Sequence, residues 1–102
     1  MDLKIRPTST NDQLEVISIL SKAFNTPKSL PLNEDYINTQ NIYSIVSEID
    51  KKIVGTASLY ILNKVNRKVG LIEDVAVLPS YNSKGIGLKL ICLLYTSDAA
   101  DE

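Results

Sequence analysis

The chain has 102 residues, 44% of them hydrophobic, and a formal net charge of −1 at pH 7. These values fit one globular domain or most of one, and the near-zero charge gives no reason to expect nucleic acid as a partner. No apolar run approaches the roughly 20 residues of a membrane span, and no leader-like segment begins the chain. We therefore expect a cytoplasmic protein that binds neither nucleic acid nor membrane, and the residues leave open whether it forms a homodimer.

The residue inventory excludes several kinds of site. The chain contains no histidine, and its one cysteine is Cys92. Disulfides, metal sites built from cysteine and histidine, and nucleophilic catalysis that depends on histidine are therefore excluded. We expect no metal centre, and a carboxylate or water can supply proton transfer in this chain.

The first elements predicted are a short strand and a helix. Residues 3–6 alternate in polarity and stop at Pro7, as a strand does. Thr10 with Gln13 three residues later forms a capping-box pattern, which predicts the start of a helix. Apolar residues then recur at helical spacing and predict the face that packs on the core. They are Leu14, Ile17, Leu20 and Phe24.

Three strands are predicted in the middle of the chain. Pro27 and Pro31 predict a loop before them, and a short helix over about 33–40 is weakly patterned. Strands over 42–49 and 53–62 are joined by a tight polar turn, and a third strand extends over 69–78. Links this short make the strands antiparallel neighbours. Gly55 predicts a bulge or a close backbone approach.

The third strand leads into a turn with two glycines and then into a helix. Its nearly continuous aliphatic run predicts a strand covered on both faces. Apolar residues at helical spacing from Ile86 predict a helix that begins at or just before Gly85. A helix N-terminus presents unpaired N–H groups, and glycines allow a phosphate to approach them. With Lys84 beside them, Gly85 and Gly87 predict a diphosphate site, although a simple helix cap also explains the glycines.

The strand, turn and helix together resemble the acetyl-CoA-binding motif of the GNAT superfamily, the Gcn5-related N-acetyltransferases. The family pattern Arg/Gln-x-x-Gly-x-Gly/Ala reads Asn82-Ser83-Lys84-Gly85-Ile86-Gly87 here. The preceding strand Ile72-Glu73-Asp74-Val75-Ala76-Val77 also matches in type and spacing, and it looks like that of glucosamine-6-phosphate N-acetyltransferases. Asn82 departs from the pattern, in which Arg or Gln is usual.

The resemblance implies an α/β (α+β) fold of the GNAT type, a mixed and mostly antiparallel sheet flanked by helices. The predicted order β-α-(α)-β-β-β-α corresponds to the N-terminal half and middle of that fold, with the C-terminal strands and helix missing. The resemblance also implies acetyl-CoA as co-substrate. The cofactor-binding residues that it implies are Val75, Ala76, Val77, Asn82, Ser83, Lys84, Gly85, Ile86 and Gly87.

A carboxylate is the candidate for proton transfer during attack of an amine on a thioester. Glu73 and Asp74 are consecutive on a strand and should point to opposite faces, so at most one can face an acceptor cleft. We select Glu73 as the candidate catalytic residue because unbroken alternation places it on the face of Val75 and Val77. A solvated strand charge is the alternative interpretation.

The function implied is an acetyl-CoA-dependent N-acetyltransferase with a small-molecule primary amine as acceptor. The resemblance also places Tyr36, Asn38 and Tyr43 near substrate, with surface or packing roles as the alternative. One alternative function is a GNAT-like sensor or regulatory module that binds an acyl-CoA or a nucleotide without transfer. Another is an inactive fragment, because a sheet edge left without its later strands is an aggregation hazard.

Residues 92–102 differ in character from the helix before them. Small and acidic residues replace the apolar pattern after Ile91, and the run from Cys92 to Glu102 resembles the translation of a transposase adapter used to prepare sequencing libraries. We therefore predict a partial GNAT domain over 1–91, the N-terminal part of a longer protein, and a non-native tail over 92–102. An ordinary acidic C-terminus is the alternative.

Overall fold

The computed structural model describes residues 2–25 and 41–100, with side chains described as far as residue 95. The elements in these ranges are β1 (Leu3–Pro7), α1 (Gln13–Phe24), β2 (Ile42–Ile49), β3 (Lys52–Asn63), β4 (Lys68–Val77) and α2 (Ile86–Ala100). A 3₁₀ turn precedes each helix, over Thr10–Asp12 and Pro79–Lys84. The expected order of elements is confirmed for these residues. The predicted loop at Pro27 and Pro31 and the weak helix after it lie outside them.

The strands form one antiparallel sheet in the order β1-β2-β3-β4, so the predicted hairpins are confirmed. Ile49 pairs with Lys52, which leaves Asp50 and Lys51 as a two-residue loop with φ of 51° and 65°. Positive φ at both positions is the signature of a type I′ turn, whose twist matches that of the strands it joins.

The two helices pack on opposite faces of the sheet. On one side, α1 closes a buried cluster of Val16, Ile19, Val46, Ile53 and Ala76. On the other side, α2 closes a larger cluster that includes Ile45, Ala57, Leu59, Ile86 and Leu90. Consecutive residues of β2 belong to different clusters, as the alternation of a strand requires. We call these sides the α1 face and the α2 face.

The predicted apolar face of α1 is wrong at both of its ends. Leu14 is 83% exposed and Phe24 is 51% exposed, whereas Val16 and Ile19 are buried. The apolar residues admit more than one helical stripe, and the one that meets the sheet is shifted by about two residues from the one that periodicity favoured.

The start of α1 also differs from the expected capping box. The Asp12 carboxylate accepts a hydrogen bond from the Ser9 backbone N–H at 2.8 Å. The residue pair that begins the helical segment is therefore Ser9 with Asp12, and not Thr10 with Gln13. A 3₁₀ turn precedes α1. The capping pair therefore keeps the predicted spacing of three residues but lies one residue earlier in the chain.

β4 is not covered on both faces as its apolar run predicted. Only Ala76 is buried in β4, whereas β3 is buried continuously from Ile53 to Leu59. The reason is position in the sheet: within the described ranges β4 pairs with β3 alone, and its outer edge is open. The inner strands of this part of the chain are β2 and β3, and β3 is the more deeply buried of the two.

Gly55 illustrates why β3 is packed so tightly. A Cβ atom added there would lie 2.6 Å from Ser47 Oγ and 3.2 Å from the Ala76 carbonyl oxygen. The pairing with β2 also shifts register beside it, between Ser47 and Glu48. Both the predicted bulge and the predicted close backbone approach are therefore confirmed.

The predicted end of the helical pattern at residue 92 is wrong. α2 continues to Ala100, and Leu94 is 1% exposed within the α2-face cluster. The division of the chain at residue 91 and the non-native origin of the tail stay predictions. Neither described helix is long and apolar enough to cross a membrane.

Candidate functional site

The pairing of β4 with β3 contains a bulge close to the glycine turn. Thr56 pairs with Ala76, and Ser58 pairs with Glu73. Between these two pairs β3 has a single residue whereas β4 has two, so β4 carries one extra residue. A bulge of this kind bends its strand, changes the direction of side chains and is common beside active sites.

Asp74 is one of the two residues in the bulge, and its backbone is in the left-handed region with φ of 57°. That conformation costs a residue with a Cβ roughly 1–2 kcal/mol. The Tyr60 hydroxyl donates a hydrogen bond to Asp74 Oδ2 at 2.7 Å. Because a hydrogen bond to a charged group contributes about 1.5–3 kcal/mol, this contact is large enough to offset the backbone cost.

The bulge changes the face on which Glu73 lies. Through its partner on β3, Glu73 shares a face with Ala76, which packs beneath α1. Val75 and Val77 pack instead against the α2-face cluster. The expectation that Glu73 shares a face with these valines is therefore wrong, because it assumed an unbroken alternation along β4.

The carboxylates of Glu73 and Asp74 both lie on the α1 face. Tyr60 lies two residues after Ser58 on β3, so its side chain shares the α1 face with that of Ser58. From this face the Tyr60 hydroxyl reaches Asp74. The expectation that Glu73 and Asp74 point to opposite faces is wrong for the same reason. Glu73 is exposed and Asp74 is half-buried. Within residues 2–25 and 41–95, the two ion pairs found do not include Glu73.

Of the residues expected near substrate, only Tyr43 belongs to the described part of the chain. Tyr43 pairs with Leu59, whose side chain belongs to the α2-face cluster, so it lies across the sheet from Glu73. The sheet therefore separates Tyr43 from Glu73. Tyr36 and Asn38 lie outside the described residues.

The glycine turn leaves open space at the start of α2. Gly85 has φ of 72°, and this left-handed residue puts the first residue of α2 at Ile86, one position later than predicted. A Cβ atom added at Gly85 would meet nothing within 4 Å, and one at Gly87 would meet only Val77 Cγ2 at 3.8 Å. The fold itself does not fill the volume beside these glycines, so a phosphate group fits there.

The other predicted residues of the turn divide into exposed and buried ones. Asn82, Ser83 and Lys84 are exposed. Ile86 is 1% exposed and packs in the α2-face cluster, so only its backbone can contact a ligand. Ala76 is similarly buried beneath α1, which again leaves the backbone as its ligand-binding part.

A cleft of about 410 Å³ lies between the last turn of α1 and the end of β4. The predicted cofactor-binding residues that line it are Val75, Ala76, Val77 and Asn82. The α1 residues that line it were not selected from the sequence and include Lys22, Ala23 and Phe24. No local pattern could have selected them, because α1 and β4 are distant in sequence and meet only in the fold. A larger cavity of about 670 Å³, between β1 and α2, is lined by none of the predicted site residues.

A second polar group on the α1 face has a different character. Arg6 donates hydrogen bonds to Asp12 Oδ2 at 2.8 Å, to Asp12 Oδ1 at 3.1 Å and to Glu48 Oε1 at 3.0 Å. The hydrogen bonds from Arg6 lower the pKa of Asp12 from 3.8 to about 2, against the opposing effect of burial. The two carboxylates in turn raise the pKa of Arg6. This group joins β1, β2 and the start of α1, and its role is structural.

Comparison with solved structures finds the same architecture in acetyltransferases. An acetyltransferase from Trypanosoma brucei is 31% identical with a TM-score of 0.82, over 97% of this chain and 76% of that chain. An aminoglycoside acetyltransferase from an uncultured soil metagenomic sample, in complex with sisomicin, is 26% identical with a TM-score of 0.82, over 97% and 71%. Glucosamine-6-phosphate N-acetyltransferase from Arabidopsis thaliana shares the fold at 24% identity with a TM-score of 0.76, over 94% and 74%.

Comparison by sequence gives the family. No curated protein sequence matches the chain significantly. The model of the acetyltransferase (GNAT) family, however, matches residues 14–96. That range contains the β4 bulge, the glycine turn and the first turns of α2, which are the features that form the site. The chain therefore belongs to the acetyltransferase (GNAT) family.

Proposed function

We propose that this protein is an acetyl-CoA-dependent N-acetyltransferase that acetylates the primary amine of a small molecule. The observation that carries the proposal is the open space beside Gly85 and Gly87 at the N-terminus of α2, next to an open strand edge that contains a bulge. Membership of the family supports acyl transfer in general. The co-substrate, the acceptor class and the residue roles below are what we add to it.

The glycine turn is the proposed site for the diphosphate of acetyl-CoA. The first N–H groups of a helix have no partner within the helix, and together with the helix dipole they favour an anion. Lys84 directly precedes Gly85 and adds a positive charge. Lys22 contributes a second cation from the α1 side of the cleft. These groups suit a doubly charged diphosphate better than an uncharged ligand.

The outer edge of β4 is the proposed site for the remainder of acetyl-CoA. A strand edge presents unpaired backbone N–H and carbonyl groups, which can bind an extended amide chain such as pantetheine. The backbone of Val75, Ala76 and Val77 occupies this edge next to the bulge. In this arrangement a backbone N–H group polarises the thioester carbonyl and stabilises the negative charge that develops on its oxygen.

Glu73 is the proposed proton acceptor. The ammonium first loses one proton, which Glu73 accepts, and the neutral amine nitrogen then forms a bond to the acetyl carbon. The carbon–sulfur bond breaks, coenzyme A leaves as a thiolate, and that thiolate takes up the second proton that the nitrogen loses as it becomes an amide. Glu73 is an exposed carboxylate beside the bulge, so it can reach an amine directly or through one water. With Asp74 it places two negative charges on the α1 face, which favours a cationic amine. The metagenomic relative bound to sisomicin supports a small amine as acceptor.

Calorimetric titration with acetyl-CoA tests the cofactor site, and acetyl-pantetheine without the diphosphate serves as the control ligand. We expect binding that needs the diphosphate and that is weakened at least about 10-fold by Gly85→Val, because a branched side chain obstructs the approach to the helix N-terminus. Gly85→Asn is the matched variant, since asparagine tolerates a positive φ. A loss with valine but none with asparagine would assign the effect to backbone strain and contradict the site.

Turnover with a panel of primary amines tests the reaction. We expect Glu73→Gln to lower kcat by about 10²–10⁴-fold, the usual contribution of a general base, with little change in the Kd of acetyl-CoA. Asp50→Asn is the control, because it removes a carboxylate from a distant hairpin turn. Binding of acetyl-CoA by the wild-type protein without transfer to any amine would instead support the acyl-CoA sensor.

A further inference from the structure

The Tyr60–Asp74 hydrogen bond connects two strands at the bulge. Tyr60 pairs with Leu71 in the ladder, so its hydroxyl reaches along β4, past its own partner, to the Asp74 carboxylate at 2.7 Å. The bond therefore joins the regular part of the ladder to the residue at which the ladder becomes irregular. It ties the extra residue of β4 to the buried strand β3.

Asp74 differs from the other left-handed residues of the described ranges. Among residues other than glycine, positive φ also occurs at Asn25, Asp50 and Lys51. Asn25 ends α1, where its N–H bonds to the Ser21 carbonyl, and the other two form the loop of a hairpin. Their backbone conformations are set by the ends of regular elements. Asp74 lies inside a strand, where no regular element ends, and its side chain accepts the Tyr60 hydrogen bond.

The outer side of the bulge provides no comparable support. In the described part of the chain β4 pairs only with β3, so no strand constrains its other edge. A bulge free on one side can relax toward regular pairing. Regular pairing would restore strict alternation and move Glu73 to the opposite face, since a shift by one residue inverts every side chain of a strand.

We infer that Tyr60 is a positioning residue for the acetyl transfer, and that its hydroxyl holds Asp74 so that the bulge presents Glu73 on the α1 face. This inference rests on the proposed function. The same hydrogen bond fixes the backbone direction of Val75, which follows Asp74 directly. Tyr60 therefore acts on both reactants: on the acceptor through Glu73, and on the thioester through the β4 edge.

Three variants separate the hydrogen bond from the backbone conformation and from the charge. Tyr60→Phe removes the donor and keeps the ring. Asp74→Gly keeps a residue that readily adopts a positive φ but removes the acceptor. Asp74→Asn keeps an acceptor oxygen and tolerance of positive φ, and it removes the charge. Tyr43→Phe is the matched control, because Tyr43 lies on the α2 face.

The first readout is steady-state kinetics with the amine that the wild-type protein acetylates best. Because misplacement of reacting groups by about 1 Å can cost on the order of 100-fold, we expect Tyr60→Phe and Asp74→Gly to lower kcat by about 10–100-fold. The KM for acetyl-CoA should change by less than about 3-fold, since the diphosphate site is separate. Asp74→Asn should retain kcat within about 3-fold, while the loss of its charge should raise the KM for the cationic amine. A kcat for Tyr60→Phe equal to that of Tyr43→Phe would overturn the inference.

The relation between the Asp74 variants decides the role of that residue. If Asp74→Asn loses as much kcat as Asp74→Gly, the carboxylate itself acts on the substrate, and the positioning role is overturned. If Asp74→Gly is as active as the wild-type protein, the hydrogen bond is dispensable, and the positioning role of Tyr60 is again overturned. Retention with asparagine and loss with glycine is the result we expect.

The second readout needs no activity and separates this inference from the proposed function. We expect Tyr60→Phe to shift the NMR amide signals of residues 73–77 and to speed their hydrogen exchange, while those of Asp50 and Lys51 stay unchanged. Unchanged signals at 73–77 would overturn the inference even in an active enzyme. Changed signals in a protein that acetylates no amine would uphold the control of the bulge by Tyr60 and overturn the proposed function.

Discussion

Two groups of polar side chains lie on the α1 face, near opposite edges of the described sheet, and they are built differently. At the β1 edge, Arg6 binds Asp12 and Glu48 through several hydrogen bonds, and Asp12 is 5% exposed. At the β4 edge, Asp74 accepts a hydrogen bond from Tyr60, whereas Glu73 is exposed and forms no ion pair with another described residue. The Arg6 group, in which each charge has a partner, stabilises the fold, whereas the exposed Glu73 carboxylate is accessible to a ligand.

The difference follows from the balance of charge and solvent. One guanidinium with five donors can satisfy two carboxylates at once, and removal of that guanidinium would leave both without compensation. The β4 group contains two carboxylates and a hydroxyl, so a cation would stabilise it. An ammonium group of an acceptor would supply that cation. The α1 face thus carries the structural group around Arg6 at one edge and, at the other, a group of carboxylates that a cation would stabilise.

The largest effect on stability should come from removing Arg6 from its group with Asp12 and Glu48. We expect Arg6→Met to lower the free energy of unfolding by about 2–3 kcal/mol, because it leaves two neighbouring carboxylates without their charge partner. Chemical denaturation measures this loss. Arg67→Met, in the exposed β3–β4 loop, should change it by less than about 0.5 kcal/mol. Equal losses in the two variants would show that the Arg6 group contributes nothing specific.

The next effect is the dependence of stability on pH that Asp12 produces. Its pKa is lowered from 3.8 to about 2, so its contribution is fully present above pH 3.8 and is lost as the pH falls through 3.8 toward 2. The contribution should be about 2 kcal/mol. Denaturation series at several pH values measure it. The Asp12→Asn variant should be less stable than the wild-type protein at neutral pH. Its stability should also fall less than that of the wild-type protein between about pH 4 and pH 2.

The smallest effect on stability should come from Gly87→Ala, which sharpens the contrast between fold and function. A Cβ atom there meets only Val77 Cγ2 at an ordinary distance of 3.8 Å, and alanine is a better helix former than glycine. We expect the variant to be more stable by about 0.5–1 kcal/mol and to bind acetyl-CoA more weakly. Denaturation and calorimetry on the same preparation measure both. Unchanged affinity would show that no ligand group lies close to this glycine.

Much of the fold could be predicted because its signals are local. The Asp50-Lys51 turn, the hairpins and the turn at Gly85 depend on residues that are neighbours in the chain. The glycine turn also carried the resemblance that led to the family. Three of the predictions that were wrong share one cause. The exposed Leu14, the poorly covered β4 and the face of Glu73 each depend on how one element meets another.

The sequence by itself determined the order of the elements, the antiparallel hairpins and the glycine turn at the start of α2. Only the tertiary structure decided which face carries Glu73, because the bulge is a property of the register between β3 and β4 and not of β4 alone. It also decided that Tyr60 reaches Asp74, and that Lys22 lines the cleft. These contacts join residues far apart in the chain, and side-chain packing between elements sets them after local structure has formed.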